Sequence, residues 1–271
     1  MSFIQENIIE INLHLTKTYT LIQISDVHLV TYRLWDSDEA IQQAQNQESI
    51  WMKQRVDFAT KFNENFDPSF LFPSNECLDQ LIDFSNELHP DLVLLTGDIV
   101  DYFSEANYAY LSKALNNLQS PFLYSLGNHE SPSYQFQELC QGKTDFNYID
   151  LNDFFIVSID NSLGKISQQQ LESLKNLIET NKPILLAMHI PIMTELNETD
   201  LSKLDSYYSI KYSHCDETTS QFINLITNAS EIKAILCGHT HGSILSYIAP
   251  NKPEYCCSSG LIGKVNKIII K

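Results

Sequence analysis

An α/β fold is what this sequence predicts, on three observations. Apolar runs too short for a buried helix recur at residues 19–25, 92–95, 121–126, 183–188 and 232–237, with the length of buried strands. Between them lie segments whose apolar residues are spaced for one helical face. Each run also stops in a polar cluster, and the carboxyl ends of parallel strands in α/β sheets line one crevice where residues distant in sequence meet. With 271 residues, 43% of them hydrophobic and 19% charged, the chain can bury a sizeable core. No repeat, low-complexity tract or linker divides it, so residues 1–271 read as a single domain.

In chain order, residues 8–13 and 19–25 read as a hairpin whose second strand enters the core. Residues 29–75 form an insertion of different composition, rich in Gln, Asn and acidic residues. Asp36-Ser37-Asp38-Glu39 starts a helix there, running to about Asn63, with Ile41, Ala44, Trp51, Ala59 and Phe62 as its apolar stripe. Both arginines of the chain, Arg33 and Arg55, lie in this segment. A cap over a phosphate site would use such residues, and an ordinary surface helix would carry the same stripe.

Residues 76–88 and 105–118 read as amphipathic helices flanking the 92–95 strand, and 134–140 as a short one. Residues 146–150 and 154–159 read as a hairpin. Ser167 is a good N-cap for a helix to 178, and Asp216 caps another to about Asn228. Residues 193–215 are irregular and aromatic (Tyr207, Tyr208, Tyr212, His214), as an active-site loop would be. The tail, 244–248, 255–258 and 265–270, reads as antiparallel strands.

Composition excludes several classes. A net charge of −17 is wrong for a protein that tracks nucleic acid through phosphate contacts, which needs basic surface. No window approaches the roughly 18 apolar residues of a membrane span. The N-terminus lacks a basic start followed by an apolar run, which points to the cytoplasm. The six cysteines show no Cys-x-x-Cys spacing and read as reduced thiols.

The strand-end clusters carry the chemistry. They are Asp26/His28, Asp98/Asp101, Asn128/His129, His189 and His239/His241, and they hold five of the eight histidines; His14, His89 and His214 are left over. Carboxylate oxygen with imidazole nitrogen suits zinc, manganese or iron better than calcium. Two cations roughly 3.5–4 Å apart need a shared anionic oxygen, which a carboxylate such as Asp98 can supply. Such a centre accepts a phosphate oxygen.

In these residues the chain resembles the calcineurin-like metallophosphoesterase superfamily. Its five blocks run in order as Asp26-x-His28, Gly97-Asp98-x-x-Asp101, Gly127-Asn128-His129-Glu130, His189, and Gly238-His239-x-His241. The resemblance implies a four-layer α/β/β/α sandwich of two mixed sheets flanked by helices, with two divalent or trivalent metal ions (Mn, Fe or Zn). Position by position, it implies that Asp26, His28 and His241 hold one metal, that Asn128, His189 and His239 hold the other, and that Asp98 bridges. His129 matches the histidine that orients the phosphate and protonates the leaving oxygen. Asp101 matches the carboxylate paired with that histidine, although a solvated loop acid would look the same.

The layout is similar to class III cyclic-nucleotide phosphodiesterases, including Leu163-Gly164-Lys165-Ile166-Ser167 before a helix. Tyr102-Phe103 follows the Asp98 block where Ser/Thr protein phosphatases carry Arg, and Asp101 stands where purple acid phosphatases carry a metal-binding Tyr. The implied activity is hydrolysis of a small, nucleotide-like phosphodiester by metal-hydroxide attack. Phosphomonoesterase and nucleotide pyrophosphatase activities are the enzymatic alternatives, and a metal-binding interaction scaffold is the non-enzymatic one. The sequence leaves the oligomeric state open.

Overall fold

A computed structural model describes residues 2–204 and 209–271; Tyr207 and Tyr208 of the expected active-site loop lie outside the described residues. In chain order the elements are β1 (Gln5–Ile11), β2 (Tyr19–Ile24), α1 (Asp38–Lys61), α2 (Ser74–Leu88), β3 (Leu92–Thr96), α3 (Glu105–Asn116), β4 (Phe122–Ser125), β5 (Phe146–Asp150), β6 (Phe155–Ile159), α4 (Gln168–Ile178), β7 (Ile184–Ala187), β8 (Ile192–Met193), α5 (Glu198–Leu204), β9 (Ile210–Lys211), α6 (Glu217–Asn228), β10 (Ile232–Cys237), β11 (Ile244–Ala249), β12 (Lys252–Cys256) and β13 (Lys264–Ile270). The helix caps follow from side-chain chemistry. Ser104 and Asp216 accept N-terminal amides of α3 and α6, and Ser167 with Gln170 forms a reciprocal capping box on α4, satisfying donors with no partner inside the helix.

Two sheets result, in the orders β1-β13-β2-β3-β4 and β11-β12-β10-β7-β6-β5, with β8 and β9 as a separate pair. Within the first, β2, β3 and β4 are parallel and β13 is antiparallel to β2; within the second, β6, β7, β10 and β12 are parallel and β5 and β11 antiparallel. Alternate side chains of each strand leave on opposite faces, and this sorts the apolar residues into three layers. Leu21, Leu94, Ile268, Ile156, Leu185 and Leu236 meet between the sheets. Ile22, Val93 and Leu95 face α2 and α3. Val157, Leu186 and Ile235 face α4 and α6. Three cores between four layers make the α/β/β/α sandwich.

One local expectation fails. Residues 8–13 and 19–25 do not pair: β13 lies between them, parallel to β1 and antiparallel to β2, so that Ile268 is opposite both Ile9 and Leu21. Val265, Ile268 and Ile270 are all buried, and the central position satisfies the backbone of β13 on both edges. The tail strands accordingly divide between the sheets, with β11 and β12 antiparallel in one and β13 in the other. The expected hairpin of β5 and β6 forms as read.

At one end of the sandwich, Gln23 ties the sheets together. Its amide nitrogen donates to Thr96 Oγ1 and to the Cys237 carbonyl, both at 3.0 Å, and its oxygen accepts from Asn266 at 2.8 Å. Beyond it, β2 and β3 stay zipped past their ends, with Asp26 N donating to Gly97 O, His28 N to Asp98 O and Leu29 N to Ile99 O. The polar clusters grow from this end.

Candidate metal centre

The loops after β2, β3, β4, β7 and β10 converge here. Asp26, His28, Asp98, His239 and His241 all have left-handed backbones, with φ between 46° and 70°. Outside glycine this conformation costs about 1–2 kcal/mol per residue, so the surroundings must hold it. Gly97, at φ 86°, turns the chain out of β3, and a Cβ there would collide with the His189 ring.

Glu130 supplies much of the hold. Its Oε2 accepts from Asp98 N (2.8 Å) and Gly127 N (2.6 Å). Its Oε1 accepts from Ile99 N (2.6 Å), Val100 N (3.1 Å) and the Tyr124 hydroxyl (2.7 Å). One buried carboxylate thus satisfies four backbone amides and fixes the loops after β3 and β4 to each other.

Two groups of donors face each other across Asp98. In one, Asp26, His28 and His241 place ligand atoms within 4.8 Å of one another; in the other, Asp98, His189 and His239 do the same. His28 Nε2 and His241 Nε2 are 3.1 Å apart, and His189 Nε2 is 3.0 Å from His239 Nδ1. Asn128 Oδ1 lies 3.2 Å from His189 Nε2, and Asp98 Oδ2 lies 3.0 Å from it. His189 Nδ1 donates to the Thr96 carbonyl, which aims Nε2 at those oxygens.

So many lone pairs turned inward suit a cation. The same crowding pulls the protonation of these groups in opposite directions. His189 is fully buried, which by itself would push it down, but Asp98 and Asp26 raise it to about 10. Burial and the neighbouring Asp98 push Asp26 up to about 7. Burial also raises Asp98, but His189, His28 and His129 outweigh it and hold that carboxyl well below its usual range. His28 and His241 are pushed down by burial, and His241 Nδ1 is a buried nitrogen with no partner. Imidazole and carboxylate donors in these two sets, with Asp98 also within reach of His28, fit two metal ions.

His129 sits beside this centre, its amide donating to Asp98 Oδ1 at 2.9 Å. Its Nδ1 is 2.7 Å from the Asp101 carbonyl and 3.1 Å from Asp101 Oδ1. Both are acceptors, so Nδ1 carries a proton and Nε2 is left for a substrate. Burial lowers His129, but the bond to Asp101 and the Asp98 charge prevail and raise it to about 9. Asp101 is no solvated loop acid: it is buried and also meets His28 Nδ1 at 3.3 Å.

Two contributors escape a motif reading. Trp51, expected only as part of the apolar stripe of α1, stacks on His28 with ring centroids 3.8 Å apart and donates its indole N–H to Asp101 Oδ1 at 2.8 Å. Phe58, two turns on, packs on His241 at 4.7 Å. Glu130, the other, was legible only as the last letter of the Gly127 block.

The arginines need correcting. Arg55 is buried and pairs with Glu48 at 3.2 Å while donating to the Phe72 and Leu261 carbonyls. A buried guanidinium must keep its partners, and its place is to pin α1 to the loops beneath it. Arg33 pairs with Asp36 at 2.8 Å and Glu105 at 3.0 Å. Both guanidiniums are thus held by carboxylates of their own chain.

A family profile for calcineurin-like phosphoesterases matches residues 19–243. The chain belongs to that family. This family member is 25% identical over 166 residues to a probable cyclic nucleotide phosphodiesterase of Synechococcus sp., covering 58% of this chain and 60% of the relative. It is 26% identical over 167 residues to a probable glycerophosphodiester phosphodiesterase of Arcobacter nitrofigilis, covering 56% and 57%. The alignments thus span less than two thirds of those curated relatives. A crystal structure of a dimetal phosphatase from Danio rerio superposes with a TM-score of 0.56 at 11% identity, covering 90% of this chain and 88% of that one, a likeness of fold.

Glu130→Gln turns an amide NH2 toward backbone donors. Unfolding free energy measured with urea should fall by at least about 2 kcal/mol, and metal retained through gel filtration should fall with it. Trp51→Phe keeps a ring over His28 but removes the donor to Asp101; a lost hydrogen bond to a charged group should lower unfolding free energy by about 1.5–3 kcal/mol, with turnover reduced. Trp51→Ala should reduce turnover further, because it also uncovers His28.

Proposed function

We propose that this chain is a dinuclear metallophosphoesterase acting on small phosphodiesters. The observation that carries the reading is the pair of donor sets Asp26/His28/His241 and Asp98/His189/His239, with Asp98 also grouped with His28 and His129, and with His129 Nδ1 held by Asp101. In this reading Asp26, His28 and His241 hold one ion, Asn128, His189 and His239 hold the other, and Asp98 serves both. The ions, drawn from Mn, Fe and Zn, would supply positive charge at the phosphoryl oxygens and activate water at neutral pH. The diester preference follows the names of the relatives, which are phosphodiesterases of cyclic nucleotides and of glycerophosphodiesters. Residues 1–271 act as one domain, and α1 of the 29–75 insertion covers one side of the centre. No described helix is long and apolar enough to cross a membrane. The six free thiols accord with a cytoplasmic setting.

The protein's own groups divide the remaining work. His129, protonated at neutral pH and held through Nδ1 by Asp101, presents its Nε2–H to the departing oxygen as general acid. Asp101 positions it and stabilises its charge. Trp51 fixes Asp101 from the other side and excludes water from His28.

Hydrolysis of bis-p-nitrophenyl phosphate against p-nitrophenyl phosphate, metal-free and with manganese, tests the function. Metal-dependent turnover favouring the diester is expected. A monoester preference would make the protein a phosphatase, and no turnover with metal bound would make it a scaffold. His129→Ala should lower turnover of alkyl diesters by about 100-fold or more with metal content unchanged. The loss should be small for p-nitrophenolate, which leaves without a proton. In the metal-free protein, His129, facing Asp98, Asp101 and His28, should lose its proton as pH rises through about 9, as followed by NMR titration of its ring, and loading with manganese should lower that midpoint.

A further inference from the structure

We propose that the cavity beside His239 is the subsite for a substrate arm that carries its own anionic group, and that Lys211 selects it. The inference rests on the phosphoesterase reading, which requires one arm of a diester to lie next to the metal centre. The cavity has a volume of about 370 Å³, and its walls include Ile190, Ser209, Ile210, Lys211 and His214, with His239 at the side of the centre. That volume suits one small organic group.

Its charge sets it apart. Among the described residues, no Asp or Glu lines it, in a chain with 34 acidic residues and a net charge of −17. By contrast, a neighbouring cavity is lined by Asp145, Asp160, Asp216 and Glu217, and one against α1 by Glu48 and Glu76. Among the described residues, no carboxylate forms an ion pair with Lys211, whereas Lys175, Lys182, Lys203 and Lys264 are all paired. Long-range repulsion from the acidic surface would otherwise disfavour an anionic substrate. Here Lys211 offers one positive position, and ions held by the neighbouring donor set would offer another, in a recess with no described carboxylate in its lining.

The recess is also built in register with the centre. Strand β9 pairs with β8, placing Lys211 opposite Met193, and Ile210 N donates to the Pro191 carbonyl at 2.9 Å. Asn161, buried, accepts from the amides of His189 and Ile190 and donates to the Ile190 carbonyl at 2.7 Å. Glu254 accepts from Ile192 N at 2.8 Å. The wall that presents Lys211 is therefore braced to the loop that presents His189, so the spacing between them is a property of the fold.

The test compares two diesters with one leaving group, 2-carboxyethyl p-nitrophenyl phosphate and propyl p-nitrophenyl phosphate, on the full manganese-loaded chain. In both, water adds to phosphorus, the P–O bond to p-nitrophenolate breaks, and the arm stays on the monoester product. The carboxyethyl ester should show a KM lower by about fivefold, the scale of one partly exposed ion pair. Lys211→Met should raise that KM to the propyl value without changing kcat or the propyl KM, and Lys211→Arg should keep the difference. Equal KM values in the native protein, or a Lys211→Met effect shared by both esters, would overturn the subsite. Binding of 2-carboxyethyl and propyl methylphosphonate, which lack the p-nitrophenolate leaving group, is measured by calorimetry in parallel. Selective binding lost in Lys211→Met without any turnover would refute the phosphoesterase reading and leave the subsite standing; unselective binding would refute the subsite whatever the turnover.

Discussion

The centre depends first on one buried carboxylate. Glu130 gathers four backbone amides and the Tyr124 hydroxyl onto two oxygens, and so holds the loop bearing Asp98 against the loop bearing Asn128 and His129. Burial pushes its carboxyl up, while Tyr124 and the amides oppose that shift. All five partners are donors, an arrangement that only an acceptor on both oxygens satisfies. Five left-handed residues at the site together cost an amount comparable with a domain's net stability of about 5–15 kcal/mol. Strained backbone of this kind persists only where its surroundings over-determine it. Glu130, Gly97 and the extended zipper between β2 and β3 do so.

The same loops concentrate negative charge and imidazole lone pairs in a dry volume. Asp26 and Asp98 are buried within reach of four histidines, and the protonation of the group is pulled in opposite directions: His189 up, His28 and His241 down, Asp98 down, Asp26 up. Groups pushed apart in this way mark sites where a cation or a reaction is accommodated. Many of the other acidic residues lie on the surface, in pairs such as Lys203 with Asp200 and Lys271 with Glu10.

The inserted helix changes the character of one side. Its Trp51 and Phe58 lie on His28 and His241, and its Arg55 is spent inward on Glu48. The insertion therefore contributes aromatic cover and one hydrogen bond to Asp101 where phosphate-binding cations were expected. In the proposed subsite the cation is Lys211, from the C-terminal third of the chain.

By itself the sequence indicated most of the strands and helices and the residues proposed as ligands, because short apolar runs, caps and glycine turns are local signals. Asp26, His28, Asp98, Asn128, His129, His189, His239 and His241 were legible because each ends a strand, and parallel strands bring such ends together. Tertiary structure alone decided what depends on neighbours distant in sequence. Strand β13 enters between β1 and β2 because both edges of an apolar strand can be satisfied there, which no local pattern reveals. A stripe position does not announce which residue it will meet, so Trp51 read as ordinary packing until the fold set it over His28. Arg55 read as a surface cation until burial paired it. Glu130 read as the tail of a motif, since a carboxylate's five donors exist only once two loops have met around it.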